Sequence, residues 1–406
     1  MSAQPTTDRL HLAVALEGAG WHPAAWRLPS ARPSELFDAT YWVDLVRAAE
    51  RGGVDFVTFE DAYTLQSAHP WRPDDRTDQV RGRLDALLLA TRVAPATDHV
   101  GLVPTVSTTS TEPFHVGTKV AALDWISRGR AGWRVQVQRQ DAETALFGRK
   151  DPTKPGTPEE RVVRTAERFE EAADAVEVGR RLWDSWEDGA EIRDRPTGRF
   201  IDRDKLHTID FEGAHFSVRG PAITPRPPQG QPLVVALAHQ RVPYELAARS
   251  ADVVFITPHD RDQVIGIRAE VRAAEQRVGR SGRPLLVFAD GLVLLDDSTE
   301  AATHAKVQLD ELDGAPLRSD APIFVGTPSG LVDQLAEWHA AGLDGFRLRP
   351  ARLPVDLDAI ADAVVPLLTE RGLYAAGYGE PLLRERLGLG RPISRYADAV
   401  GEGASA

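Results

Sequence analysis

Cysteine is missing altogether from the 406 residues. Disulfides, thiolate metal sites and cysteine nucleophiles are therefore excluded, which leaves acids, bases, hydroxyls, imidazoles or an external cofactor to do any chemistry. Long apolar runs are missing too. No stretch approaches the roughly 18–20 consecutive apolar residues needed to cross a bilayer, and Met1–Leu10 lacks the apolar core of a secretory signal. The expectation is a cytoplasmic protein with no membrane partner. Basic charge is the minority sign, 48 Lys+Arg against 60 Asp+Glu for a net −12. An acidic surface attracts neither nucleic acid nor an anionic membrane, so a small-molecule substrate is the better expectation. There is also no P-loop and no HExxH motif. Gly18-Ala19-Gly20-Trp21-His22-Pro23 only superficially resembles a dinucleotide fingerprint, because proline replaces the third glycine and no acidic strand end follows about 20 residues on.

What is present is a rhythm. Eight short runs rich in β-branched and aromatic residues recur, at His11–Leu16, Phe56–Phe59, Val100–Thr105, Gly132–Val137, Leu233–Ala238, Val253–Ile256, Leu285–Leu294 and Phe346–Leu348. Nearly every run is followed by a turn signal and then a helical pattern, which predicts parallel βαβ units. Eight such units fit an α/β fold of the (β/α)₈ TIM-barrel type, whose chemistry sits on the loops after the strands. The length exceeds a minimal barrel of about 250 residues, so one barrel with a long insertion is expected rather than two domains. Residues 1–375 read as that single domain. The insertion spans about 139–232, between the fourth and fifth strands. Its part from 184 to 231 loses periodicity and reads as a lid, and residues 376–406 read as a tail packing on the barrel.

Candidate site residues follow from the strand ends. Glu60 and Asp61 close the second strand, where two nearby carboxylates act as an acid–base pair if their pKa values are pushed apart. The alternative gives one of them a helix-capping role or an arginine partner. His239 ends the fifth strand. Trp21, Trp26 and Trp133 lie on or beside strand ends where a pocket opens. His207, Asp210, Glu212 and His215 lie close together but lack ligand spacing, so no metal is expected.

Four blocks carry a family resemblance: Gly20-Trp21-His22-Pro23-Ala24-Ala25-Trp26-Arg27, the run Leu123 to Trp133, Leu182-Trp183-Asp184-Ser185-Trp186-Glu187-Asp188, and Ala251-Asp252-Val253-Val254-Phe255. In collinear order they resemble the bacterial luciferase-like flavin-dependent monooxygenases, in the branch of nitrilotriacetate and dibenzothiophene-sulfone monooxygenases. The resemblance implies a barrel that takes reduced FMN (FMNH₂) from a separate flavin reductase, lets O₂ form a flavin hydroperoxide, and directs it at a small organic substrate. It also implies a homodimer. It places Asp61 and Thr105 against the flavin, adds Gln136 and Gln138 on the fourth strand, and assigns the phosphate to His239 and Arg241. His22 and His115 become the catalytic candidates, because imidazole exchanges protons near neutral pH. The chain departs from the family pattern at Thr165 and Phe169, where histidine and tyrosine are usual. It departs again at Ala238-His239-Gln240, in place of Gly-Ser-Ser, and at Arg134, in place of asparagine. Two alternatives remain: a barrel with a weakened or lost flavin site acting as a binding protein, and an F420-dependent oxidoreductase.

Overall fold

Strands that are buried on both faces must be apolar throughout, and that is how the eight runs behave. The computed structural model describes residues 9–67, 74–109, 111–138, 143, 146–147, 157–375 and 377–397. The first four strands are β1 (His11–Leu16), β2 (Phe56–Phe59), β3 (Gly101–Ser107) and β4 (Gly132–Gln136). Two short antiparallel hairpins follow, β5 (Glu191–Asp194) with β6 (Arg199–Ile201) and β7 (Phe211–Glu212) with β8 (Ser217–Val218). The ring then resumes with β9 (Leu233–Leu237), β10 (Val253–Ile256) and β11 (Leu286–Leu295), and ends with β13 (Gly345–Pro350). Parallel pairing runs from β1 through β4 to β9, β10, β11 and β13, and the register His11↔Gly345 closes the cylinder. One strand was not anticipated: β12 (Ile323–Gly326) pairs with the outer half of β11, outside the ring.

Side chains at alternate strand positions fill the barrel. Its lower part is dry, packed by Ala13, Phe56, Val103, Val235, Phe255 and Phe288, with Leu383 and Leu387 of the tail closing the bottom. Phe56, Phe255 and Phe288 form a triangle with ring centroids 6.0–6.4 Å apart. Above this plug the inward positions become polar, and the functional site begins there.

The outer helices are α1 (Ala39–Arg51), α2 (Ala86–Val93), α3 (Pro113–Ile126), α4 (Pro158–Asp184), α5 (Arg241–Ser250), α6 (Arg261–Arg277), α7 (Thr299–Asp313) and α8 (Pro328–Ala340). Helix α1 buries Tyr41, Trp42, Leu45, Val46 and Ala49, and it stops where Gly53 adopts φ 75°. A Cβ on Gly52 would lie 2.6 Å from the Ala361 backbone, so glycine there permits the close packing of the last helices. Thr327 caps α8 by accepting from the Gly330 N–H at 3.2 Å, with Pro328 in the first turn. The expected final helix, Leu357–Glu370, is Val355–Ala359 continuing through a wider turn at Ile360–Val364 into Val365–Glu370. Among the described residues no helix is long and apolar enough to cross a membrane.

The segment expected to be a lid lies elsewhere. A helix that follows a parallel strand carries the chain back to the N-terminal end of the sheet. Helix α4 does this, so everything between Asp184 and Leu233 must start and finish at that end. Gln229 donates to the Ala131 carbonyl at 2.8 Å, just before β4, and its backbone N–H reaches Asp124. Arg226 is buried against Asp184 and donates to the Pro392 carbonyl in the tail. The excursion and the tail therefore pack together around the end of the barrel opposite Glu60 and Thr105. Of residues 139–156, after β4, only 143, 146 and 147 lie within the described set.

Candidate functional site

Alternation along β2 puts Phe56 and Thr58 inward and carries Glu60 into the barrel mouth. Thr105 on β3, Arg134 on β4, Asp290 on β11, and Arg347 and Arg349 on β13 arrive at the same level. They form a continuous ladder of charge. Arg134 Nη1 donates to Thr105 Oγ1 and to Glu60 Oε2, both at 2.8 Å. The other Glu60 oxygen accepts from Arg347 Nη1 at 3.1 Å. Arg347 then forks onto Asp290 at 2.7 and 2.6 Å. Arg349 bonds the same carboxylate and reaches Asp320 Oδ1 at 2.6 Å. His239 Nε2 lies 3.5 Å from Asp320, and its Nδ1 bonds Thr257 Oγ1 at 2.9 Å.

Arg347 and Asp290 are fully buried, so their charges are tolerated only because each finds its opposite with several hydrogen bonds. The guanidinium of Arg347 also lies over the Phe255 ring at 4.5 Å, and that of Arg349 over Trp21 at 4.7 Å. Burial pushes the Glu60 carboxyl up, but the cations of Arg134 and Arg347 outweigh it and hold the group below its ordinary range. The same opposition holds Asp290 down and lowers Asp320 to about 2.

Asp61 turns the other way. Its Oδ1 accepts from the Ala62 N–H at 2.7 Å and its Oδ2 from the Ala86 N–H at 2.9 Å, at the start of α2. Burial prevails over these two bonds and raises its pKa to about 6. Both of the plainer roles weighed from the sequence thus occur, an arginine pair for Glu60 and a helix cap for Asp61.

Asp61, Tyr63, Thr105, Ser107, Lys119 and Gln136 line one cleft at the C-terminal ends of β2–β4, enclosing about 80 Å³. Its rim is tied across by Tyr63, whose hydroxyl bonds Thr111 Oγ1 at 2.8 Å and whose ring meets Phe147 edge-on at 4.7 Å. Gln138 follows β4 and is 3% exposed, and both its amide atoms are buried with no hydrogen-bond partner among the described residues.

Three of the residues singled out from the sequence, Asp61, Thr105 and Gln136, therefore meet in one cleft, with Gln138 just beyond β4. The others do not join them. His239 lies at the far end of the ladder, held by Thr257 and Asp320. Arg241 opens α5 with its side chain 73% exposed and paired to Glu245. His22 is buried, with Nε2 on Asp310 of α7 at 3.1 Å and Nδ1 accepting from the Ala24 N–H of its own loop at 3.1 Å, so both ring nitrogens are spent on structural contacts. His115 is exposed on α3 and does not line the cleft. On α4, Thr165 is exposed and Phe169 packs against the core. Trp26 and Trp133 donate to the Asp78 and Val106 carbonyls. His207 is taken by Glu187 at 2.6 Å and stacks on Tyr396.

The ladder partners Arg347, Arg349 and Asp290 were missed. Their signal was present in the sequence, since a charge at an inward position of an otherwise apolar strand must find a partner inside the barrel.

The luciferase-like monooxygenase family model matches residues 19–311. The chain is 31% identical to nitrilotriacetate monooxygenase component A of Aminobacter aminovorans, over 96% of this chain and 98% of that one. It is 29% identical to N-acetyl-S-(2-succino)cysteine monooxygenase of Bacillus subtilis (strain 168), with the same coverage. The solved EDTA monooxygenase from Chelativorans sp. BNC1 superposes with a TM-score of 0.79 at 22% identity, over 94% of this chain and 99% of that one, and supports the fold.

Proposed function

The chain belongs to the luciferase-like monooxygenase family, and from that premise we propose that it is the oxygenating component of a two-component system. In this reading it takes reduced FMN from a separate flavin reductase and uses O₂ to insert one oxygen atom into a small organic substrate. The observation that carries it is the convergence of Asp61, Thr105 and Gln136 in a single cleft at the C-terminal ends of the strands, where barrel chemistry is sited. The name "component A" of the nitrilotriacetate enzyme supports a multicomponent arrangement.

The donor set suits a flavin. Buried polar atoms normally have partners, yet among the described residues Arg134 Nε and both Gln138 amide atoms have none, which is the condition of groups awaiting a ligand. Asp61, Thr105, Arg134, Gln136 and Gln138 would hold the ring, and the flavin supplies the oxygen-activating chemistry when bound. The enclosed space is smaller than a three-ring cofactor, so entry requires the Tyr63–Thr111 tie to part.

The chain's own residues bind, orient and move protons. Thr105 Oγ1 accepts from Arg134, which leaves its hydroxyl hydrogen free to donate into the cleft. Asp61, with a pKa near 6, holds or releases a proton close to neutral pH. The aromatic plug keeps water from entering below. Titration of the purified protein with oxidised and reduced FMN tests the reading, followed by oxygen uptake with an added flavin reductase. Micromolar binding of the reduced form is expected. Absent or millimolar binding of both forms would overturn the proposal.

A further inference from the structure

Arg134 is only 7% exposed, yet both of its side-chain hydrogen bonds leave from Nη1, to Glu60 and to Thr105. Its Nε is buried with no partner among the described residues. A buried guanidinium donor left unpaired is costly, and native structures retain few such groups without a reason. The unused edge, Nε with Nη2, is the side of arginine that presents two parallel donors to a planar pair of acceptors. Arg134 bonds Thr105 and precedes Gln136 by two positions on β4, and both of those residues line the cleft.

The groups facing Arg134 limit what it can receive. Glu60 occupies one end of the guanidinium, and Glu60 is itself shared with Arg347. Among the described residues, no second carboxylate is a hydrogen-bond partner of Arg134. The geometry points to Arg134 as a bidentate ligand-binding residue, its Nε–Nη2 edge receiving a planar, anionic two-acceptor group. Two sources carry that chemistry: the N1 and C2-carbonyl edge of a reduced flavin, and a carboxylate on the substrate. The flavin source rests on the function proposed above, whereas the carboxylate source does not.

The test compares wild type with Arg134→Gln and Arg134→Lys in equilibrium binding of two probes, reduced FMN under anaerobic conditions and the tricarboxylate citrate. Thermal unfolding is followed in parallel. If the flavin is the ligand, Arg134→Gln weakens reduced FMN at least tenfold and leaves oxidised FMN less affected. A tenfold selective loss lowers the bound flavin's two-electron potential by about 30 mV. If the ligand is a carboxylate, citrate affinity falls tenfold while both flavin forms bind as before. Arg134→Lys keeps a cation beside Glu60 but cannot present two parallel donors, so it must weaken the same probe, and it decides the matter if the glutamine variant does not fold. Unchanged binding of both probes in a folded variant overturns this inference and leaves the flavin reading standing. A wild type that binds neither probe overturns both.

Discussion

Glu60 and Asp61 are adjacent carboxylates with opposite fates: Glu60 points into the barrel and is held ionised between Arg134 and Arg347, while Asp61 turns toward α2 and has its pKa raised to about 6. The strand pleat separates them. Two like charges side by side in sequence thus become one structural anchor and one titrating group.

Asp61 makes stability fall as pH rises. Its folded-state pKa lies above the unfolded value near 4, so its contribution is complete in acid and is lost as pH climbs through about 6. The loss should amount to roughly 2 kcal/mol after allowance for partial exposure. Denaturant midpoints at pH 5 and pH 8 should converge in Asp61→Asn relative to wild type, and parallel pH profiles would refute this assignment.

Glu60→Gln should be far more damaging than its isosteric shape suggests. It leaves Arg134 and Arg347 buried without their shared carboxylate, at a cost of about 3–5 kcal/mol. Because the folded pKa of Glu60 is depressed, its stabilisation is present above the ordinary carboxylate range and disappears as pH falls below it. Equilibrium unfolding in urea measures this, and a change under about 1 kcal/mol would show the ladder to be dispensable.

Thr105→Val removes the hydroxyl that accepts from Arg134 and faces the cleft. Reduced FMN affinity should drop about tenfold, the scale of one hydrogen bond to a charged group. Thr105→Ser should restore it. Equal flavin dissociation constants for wild type and the valine variant would remove Thr105 from the binding set.

His22 acts as a fastener between its loop and α7, and His22→Ala should cost roughly 2–3 kcal/mol. Burial lowers its pKa despite Asp310, so the folded state holds it neutral, and stability is lost as pH falls below the ordinary imidazole value of 6.5 toward the lowered folded-state pKa. Thermal melts at pH 5.5 and 7.5 read this. A melting temperature unchanged by the substitution at both pH values would show that the contact contributes nothing.

Tyr63→Phe cuts the tie to Thr111 and should speed flavin entry several-fold in stopped-flow binding, with little change in melting temperature because the tie is largely exposed. An association rate equal to wild type would mean that the cleft opens elsewhere.

The barrel was legible in the sequence because strands buried on both faces have to be continuous apolar runs. β1, β2 and β10 match their runs residue for residue, and the others differ by one or two residues at their ends. β12 was not, since its half-buried Ile323–Val325 sits outside the ring and makes no such run. Asp61 was pointed to by its strand end, a position readable from periodicity, whereas Thr105 and Gln136 entered through the family resemblance, and the structure brings the three into one cleft. His22 was misleading, because its loop follows a strand end but folds back onto α7, a contact between residues 288 positions apart. The lid was misplaced for a similar reason: length marks an excursion, but only the direction of the preceding helix says which end of the barrel it visits.

That direction makes the 185–232 segment separable from the chemistry. The tip of its first hairpin, Gly198, has open space around it. Fluorophores, affinity peptides or whole reporter domains grafted there would sit a full barrel length from the cleft, offering a handle for immobilising or tracking the enzyme during turnover.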